Sequence, residues 1–376
     1  MLTEEGPKDL SKQERRSAVR RVVVKVGTSV VTRADGGFGA ERVAHLIDEI
    51  AAVRRGGVEV LLVSSGAIGI GRERLGLTEL PTSVVDRQAC AAAGQGALMA
   101  FYDGLCMGVG LSVAQVLLTE ADFRDRRRYL NLAATLQRLL ELGALPIINE
   151  NDTVSTDEIV LRGAAVFGDN DRLSALVAAN LGADLLIMLS DVDGVYDAPP
   201  DMRGAKRIGL YSGNVVDFGE GSGTGRGGME AKIAAAQVAA NSGVKVIIAS
   251  GLKPHPLTDV VVEGRDRGTT FPASNSLNKR RHWLAYATVP AGTLVVNDGA
   301  RDALVSRQAS LLPRGISAVR GSFAAGAVVS VVDAQEVEIA RGICRESSNA
   351  IPDLIDQSGR ARALVHRDQI AILIEE

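Results

Sequence analysis

Aromatic side chains make up only 3% of this 376-residue chain, and it has three cysteines and four histidines. Cys90, Cys106 and Cys344 show no metal-ligand spacing and cannot all pair, so a reducing cytoplasm is the expected setting. His45, His255, His282 and His366 stand apart, with no Ser/His/Asp or Cys/His constellation for nucleophilic catalysis. Neither GxxxxGKS nor GxxxxGKT occurs, which excludes a Walker-type phosphate loop. No apolar run approaches the roughly 18–20 residues that span a bilayer, so no membrane segment is expected. The net charge of −3 lacks the basic excess of a nucleic-acid binder. The opening MLTEEGPKDLSKQERRSAVRR is charged and has no apolar core, which argues against a secretory leader. Residues 1–19 read as a mobile extension.

What is abundant is small and aliphatic: 46% of residues are hydrophobic, and 41 are glycine. That composition suits helices packed closely on a sheet. Arg21–Val26 (RVVVKV) is a β-branched run closed by Gly27, which predicts a buried strand. Further strands are expected at Val58–Val63, Leu111–Leu117, Ala144–Ile148, Asp184–Leu189 and Val244–Ala249. Helices are expected at Glu41–Arg54, Ser83–Leu105, Arg126–Leu142 and Met229–Asn241, and Leu173, Leu176, Val177 and Leu181 share one helical face. Such alternation predicts an α/β fold, a mostly parallel sheet sandwiched by helices. Ligands gather at the carboxyl ends of the strands in these sheets. KVGTS, SSGA, NEND and LSDVDG all stand at such ends.

The pattern changes near Ser274–Trp283 (SNSLNKRRHW). Short runs at Gly292–Val296, Ala327–Val332 and Val337–Ala340 predict a small β-rich second domain. The expected division is a first domain over 20–274, a solvated linker over 275–282 and a second domain over 283–376.

Gly223–Gly228 (GTGRGG) satisfies GxGxxG, but the polar DFGEGS precedes it instead of a strand, so a dinucleotide site is disfavoured. Leading into an Ala-rich helix, the same loop could offer N–H groups to an anion, or be a plain surface loop. Lys232 is expected in the first turn of that helix, where the dipole disfavours a cation unless an anion stands in front of it. Lys25 lies inside the buried VVVKVG run, where an unpaired ammonium is costly. Gly27 would let a phosphate approach the backbone. Two lysines and a Gly-rich helix entrance suit phosphoryl transfer, in which positioning and charge neutralisation supply most of the catalysis. FGDNDRLSAL, at Phe167–Leu176, is either a helix cap or a place where charge is handled.

KVGTSV at Lys25–Val30, SSGAIGIG at Ser64–Gly71, INEND at Ile148–Asp152, GDNDRLSAL at Gly168–Leu176, LSDVDGVY at Leu189–Tyr196 and RGGMEAK at Arg226–Lys232 follow in that order. Together they resemble the glutamate 5-kinases of the amino acid kinase family. AGTLVVNDGA, SLLPRGISAV and ARGICRESS resemble the PUA domain carried by many bacterial members. The resemblance implies the amino acid kinase fold and a cytoplasmic transferase. MgATP would phosphorylate the side-chain carboxylate of L-glutamate to L-glutamyl 5-phosphate, the first step of proline biosynthesis. Transfer would be direct and in line, with Mg²⁺ held mainly through ATP oxygens and no dedicated protein ligands.

Carried over position by position, Lys25 and Lys232 would neutralise the transferring phosphoryl group, and Asp169 would hold both ammonium groups. Ser65, Asp152 and Asn170 would hold glutamate, with Asp152 taking its α-ammonium. Asn149 would either touch substrate or brace the NEND turn. N–H groups around Gly27 would contact phosphate, while Thr28 and Ser29 either join them or only finish the strand. Ser190 and Asp191 match one nucleotide-binding segment; Arg226, Gly227, Gly228, Met229, Glu230, Ala231 and Lys232 match the other. Asp171 is read as a helix cap in preference to a metal ligand.

There are two departures from the family pattern. Arg226 stands where a threonine is usual, adding a cation beside the nucleotide. Thr156–Phe167 is longer than in many relatives, in a loop associated with proline feedback inhibition, so sensitivity to proline stays open. Proline, a glutamyl phosphate reductase and a second copy of the chain in a homo-oligomer are the implied partners. A sibling kinase acting on acetylglutamate or aspartate is the same-fold alternative. RNA binding is the alternative from another class. It is disfavoured because residues 283–376 carry 9 Lys and Arg against 11 Asp and Glu, with only Trp283, Tyr286 and Phe323 as aromatics.

Overall fold

A computed structural model describes residues 19–33, 37–79, 81–154, 169–200, 202–213, 226–265, 267–274, 290–355 and 362–373. Residues 1–18 of the N-terminal extension, the Thr156–Phe167 segment, residues 221–225 and the linker lie outside the described residues, while Val19 packs against the core.

The first sheet has seven strands in the order β3-β4-β2-β1-β5-β6-β7. They are β1 (Arg21–Val26), β2 (Glu59–Val63), β3 (Val113–Leu118), β4 (Leu145–Glu150), β5 (Leu185–Ser190), β6 (Lys245–Ser250) and β7 (Thr269–Phe271). All neighbours pair in parallel except β7, which runs antiparallel to β6. The six longer strands fall within one or two residues of their expected places. β7 has only three residues, too few to carry a sequence period.

Alternation along β1 divides the core. Val22, Val24 and Val26 face one hydrophobic layer, and Val23 faces the other. The first layer is covered by α1 (Thr28–Val31), α2 (Ala40–Arg55), α3 (Ala67–Arg74), α4 (Val84–Gly108) and, further along, α9 (Pro256–Val261). The second lies under α5 (Ala121–Arg124), α6 (Arg126–Glu141), α7 (Asp169–Leu181) and α8 (Arg226–Asn241). Helix α8 begins three residues earlier than expected, so Lys232 is its seventh residue and lies beyond the first turn.

Strand order reverses at β1: the chain passes to β2, crosses to the edge strand β3, fills the gap with β4, then returns to β5 on the other side of β1. Such a switch point opens a crevice at the carboxyl end of the sheet.

A second sheet, ordered β12-β11-β10-β8-β9, is formed by β8 (Gly292–Val296), β9 (Ile316–Arg320), β10 (Val328–Val332), β11 (Glu338–Ile343) and β12 (Ile370–Ile372). β8 pairs with β10 in parallel, and the other pairings are antiparallel. Leu294, Val329, Val331, Ile339 and Val365 centre its own hydrophobic cluster.

Candidate active site

Lys25 continues the Val23 face of β1 and is only 5% exposed. An ammonium there requires a counter-charge, and helix α7 brings one across the same layer. Lys25 Nζ lies 2.7 Å from Asp171 Oδ1, and Lys232 Nζ, from α8, lies 3.2 Å from Asp171 Oδ2. One buried carboxylate thus bridges two ammonium groups from two different elements. Lys232 also donates to the carbonyl of Gly228, one turn back on its own helix, at 3.3 Å.

These contacts change the reading of Asp171. The bridging residue is Asp171, to which only a cap had been ascribed, while the side chain of Asp169 lies outside the described residues. The physical reason is the helical turn. Asp171, Ser174, Ala175 and Ala178 form an i, i+3, i+4, i+7 stripe of small residues, all fully buried, which seats the helix closely against the sheet.

Around this clamp opens a cavity of about 510 Å³, within the ~300–1,000 Å³ typical of small-ligand sites. Its lining follows the strand order. After β4 come Asn149, Glu150 and Asp152; after β2 come Ser65 and Gly66, then Ala67, Ile68 and Gly69 of α3. After β1 come Gly27, Thr28 and Ser29, and from β5 onward come Ser190, Asp191 and Val192. Asn170 and Asp171 of α7 roof it, with Gly228, Met229 and Lys232 of α8. Gly66 takes a left-handed φ of 101°, which turns the chain sharply from β2 into α3.

Most of the expected site residues meet here, and some do not. Glu230 and Ala231 are absent from the lining, because Gly228, Met229 and Lys232 share a helix face that the two residues between them leave. Arg226 and Gly227 open α8, and only their backbone is described. Gly27 itself does not offer its N–H to a ligand, since that group donates to Leu189 O at 2.9 Å. A Cβ there would sit 3.2 Å from the same oxygen, so this glycine serves the close approach of β1 to β5. Thr28 and Ser29 begin α1, where helical N–H groups have no intrahelical partner.

Two cavity residues of chemical weight, and one behind them, were not singled out from the sequence. Arg87, half-buried on α4, adds a cation, and Glu150 adds a carboxylate beside Asp152. Gln95, also on α4, accepts a hydrogen bond from Asn149 Nδ2 at 2.8 Å and so supports the lining from behind. Each interrupts an otherwise ordinary helix or strand end.

Burial pulls the Lys25 ammonium below the ordinary lysine value, although the Asp171 charge opposes the shift; Lys232 adds to it by repulsion. Ser190 donates to Asp191 Oδ1 at 2.8 Å, holding that carboxylate at the mouth of β5. Asp193, further along the loop, is held below the usual carboxylate range, first by its hydrogen bond from Lys253 and also by that from Tyr196.

Residues 20–250 match the amino acid kinase family, and residues 292–366 match the PUA domain. A glutamate 5-kinase from Streptomyces avermitilis is 44% identical over 372 residues, covering 94% of this chain and 96% of the relative. Another from Pelobacter propionicus is 42% identical over 372 residues, covering 94% and 98%. A third, from Caldanaerobacter subterraneus, is 44% identical over 338 residues, covering 88% and 89%. With the lysine clamp at the switch point of a parallel sheet and these relatives along nearly all its length, the chain belongs to the amino acid kinase family, in its glutamate 5-kinase branch, and carries a PUA domain.

Proposed function

We propose that this chain transfers the γ-phosphoryl group of ATP to the side-chain carboxylate of L-glutamate, forming L-glutamyl 5-phosphate as the first step of proline biosynthesis. The observation that carries the reading is the Lys25–Asp171–Lys232 clamp, set between two chemically different halves of one cavity. On one side Ser190, Asp191 and the start of α8 suit a nucleotide. On the other, Ser65, Asn149, Asp152 and Asn170 suit a small zwitterion.

Two negatively charged reactants must meet for this reaction. Lys25 and Lys232 neutralise charge on the equatorial oxygens of the transferring group, and Asp171 keeps the ammonium groups apart and aimed. The acceptor carboxylate is itself the nucleophile, so no protein base or covalent intermediate is needed. Asp152 and Glu150 favour an ammonium group on the substrate, while Arg87 gives the cavity a further cation for its second carboxylate.

Among the described residues no group of three or more His, Cys, Asp or Glu side chains is arranged to hold a metal. Asp171 is already committed to two ammonium groups. The donor set therefore fits Mg²⁺ carried mainly on phosphate oxygens, with at most a carboxylate such as Asp191 assisting it. When bound, the ion supplies charge neutralisation on the phosphates.

The same reading includes residues 20–274 as the catalytic unit, a cytoplasmic homo-oligomer, proline as end-product inhibitor and a reductase as consumer of the labile acyl phosphate. Purified protein with MgATP and hydroxylamine is expected to form glutamyl hydroxamate from L-glutamate and nothing from N-acetylglutamate, whose α-nitrogen carries no charge. Phosphorylation of the acetylated substrate in preference to glutamate would overturn the assignment.

A further inference from the structure

Helix α4 lies outside every motif, yet it reaches both loops that form the acceptor half of the cavity. Tyr102, fully buried, shares a 2.9 Å hydrogen bond with Ser64 Oγ, next to Ser65. Seven residues earlier and on the same side of the helix, Gln95 Oε1 accepts from Asn149 Nδ2 at 2.8 Å. Asn149 is only 2% exposed, and its own Oδ1 accepts from Asn170 Nδ2 at 3.0 Å. The same Asn170 nitrogen donates to Ser65 Oγ at 3.1 Å.

These bonds run in one direction. A primary amide nitrogen has two hydrogens, so Asn170 spends both on Asn149 and Ser65. Its carbonyl Oδ1 is buried and has no hydrogen-bond partner among the described residues. What Asn170 has left for a ligand is therefore an acceptor. With every amide turned over, Asn170 would present NH₂ and suit a carboxylate instead. Asn149 and Gln95 could each satisfy either arrangement; as the row stands, Gln95 accepts from Asn149, and Asn170 is left with its acceptor.

We infer that Gln95 is a positioning residue that anchors this amide row from α4, so that Asn170 keeps an acceptor for the ammonium group of the amino acid substrate. Resting on the proposed glutamate phosphorylation, this assigns ammonium recognition to Asn170 together with the neighbouring carboxylates of Glu150 and Asp152, with α4 as the fixed reference. The helix is well placed for that task. A Cβ on Gly71 would fall on the carbonyl of Cys90, and one on Gly94 would fall on that of Ala67, so α3 and α4 touch backbone to backbone beside Gln95.

Two variants of the full-length protein separate the possibilities. Gln95→Glu keeps an acceptor opposite Asn149 and can only accept; Gln95→Met keeps the length and removes all hydrogen bonding. Gln95→Met is expected to raise the KM for glutamate about tenfold or more, as loss of a buried hydrogen bond does. Its kcat and its KM for ATP are expected to stay within about threefold of wild type, the latter also certifying the fold. Gln95→Glu is expected to stay within about threefold of wild type in every constant. Calorimetric titration of glutamate in the presence of a non-hydrolysable ATP analogue should give the same order of affinities. The inference is overturned if Gln95→Met binds glutamate as wild type does. It is equally overturned if Gln95→Glu is as damaged as Gln95→Met, since Gln95 would then be acting as the donor. Failure of the wild-type protein to phosphorylate glutamate would bring down the functional assignment, and this inference with it.

Discussion

A single carboxylate, Asp171, balances two ammonium groups that would otherwise be stranded in a dry site. Removing one member of a buried ionic cluster typically costs about 3–5 kcal/mol, because the remaining charge has lost its partner. Asp171→Asn keeps the shape and removes the charge. It is expected to lower kcat by at least about a hundredfold, the scale of losing a main electrostatic contact to the transition state. It should also lower the denaturation midpoint, and single-turnover kinetics alongside urea unfolding would check both effects. The pH dependence of Lys25 follows from its direction of shift. Burial holds its folded-state value below 10.5, so between the two values the unfolded chain keeps a proton that the folded chain has released. In that window this group makes stability rise with pH, while activity falls as the ammonium is lost. The alkaline limb of kcat/KM, which reports the free enzyme, is therefore expected below the ordinary lysine range. Lys25→Met should remove this contribution from the unfolding profile and most of the turnover with it. That Asp171 holds the lysines was not legible in GDND, where two carboxylates precede the same apolar run. Helix α7 is buried on nearly every side, from Leu173 through Ala178, so no polar face marks which aspartate turns inward. The small stripe of Ser174, Ala175 and Ala178 was the available sign.

At the scale of elements, the sequence pattern was a good guide wherever a strand or helix carried its own period. β1 and β8 match their expected bounds residue for residue, and the four polar clusters stand at strand ends as alternation requires. What remained hidden depends on contact between elements distant in sequence. The glycine-to-backbone contact of α3 with α4 is such a case, since nothing in AIGIGRER or ACAAAGQG says that they face each other. Gly94→Ala would insert a methyl group where a carbonyl already lies and force the helices apart. Overpacking of this kind costs about 1–3 kcal/mol, and here the displacement would reach Ala67–Gly69 and Gln95 together. The KM for glutamate is expected to rise several-fold while that for ATP holds. An equal change in both constants would mean that the helix pair supports the whole cavity and not its acceptor half.

At the scale of the whole molecule, two sheets with separate hydrophobic clusters divide the chain. Among the described residues, those lining the cavity all lie from Lys25 to Lys232, and none comes from the second sheet. If the first unit contains all the chemistry, it should work without the second. A chain ending at residue 274 retains the complete first sheet and both of its helical layers. It is expected to keep kcat and both KM values within about threefold of the full-length protein, because losses of transition-state contact would show as larger changes. Measuring these constants together with mass in solution tests the division directly. Loss of turnover by a folded truncated chain would assign the PUA domain a part in completing the site. Unchanged kinetics with a changed mass would place its role in assembly. Unchanged kinetics and mass would leave the phosphoryl-transfer machinery wholly within the amino acid kinase unit, as the lining of the cavity requires.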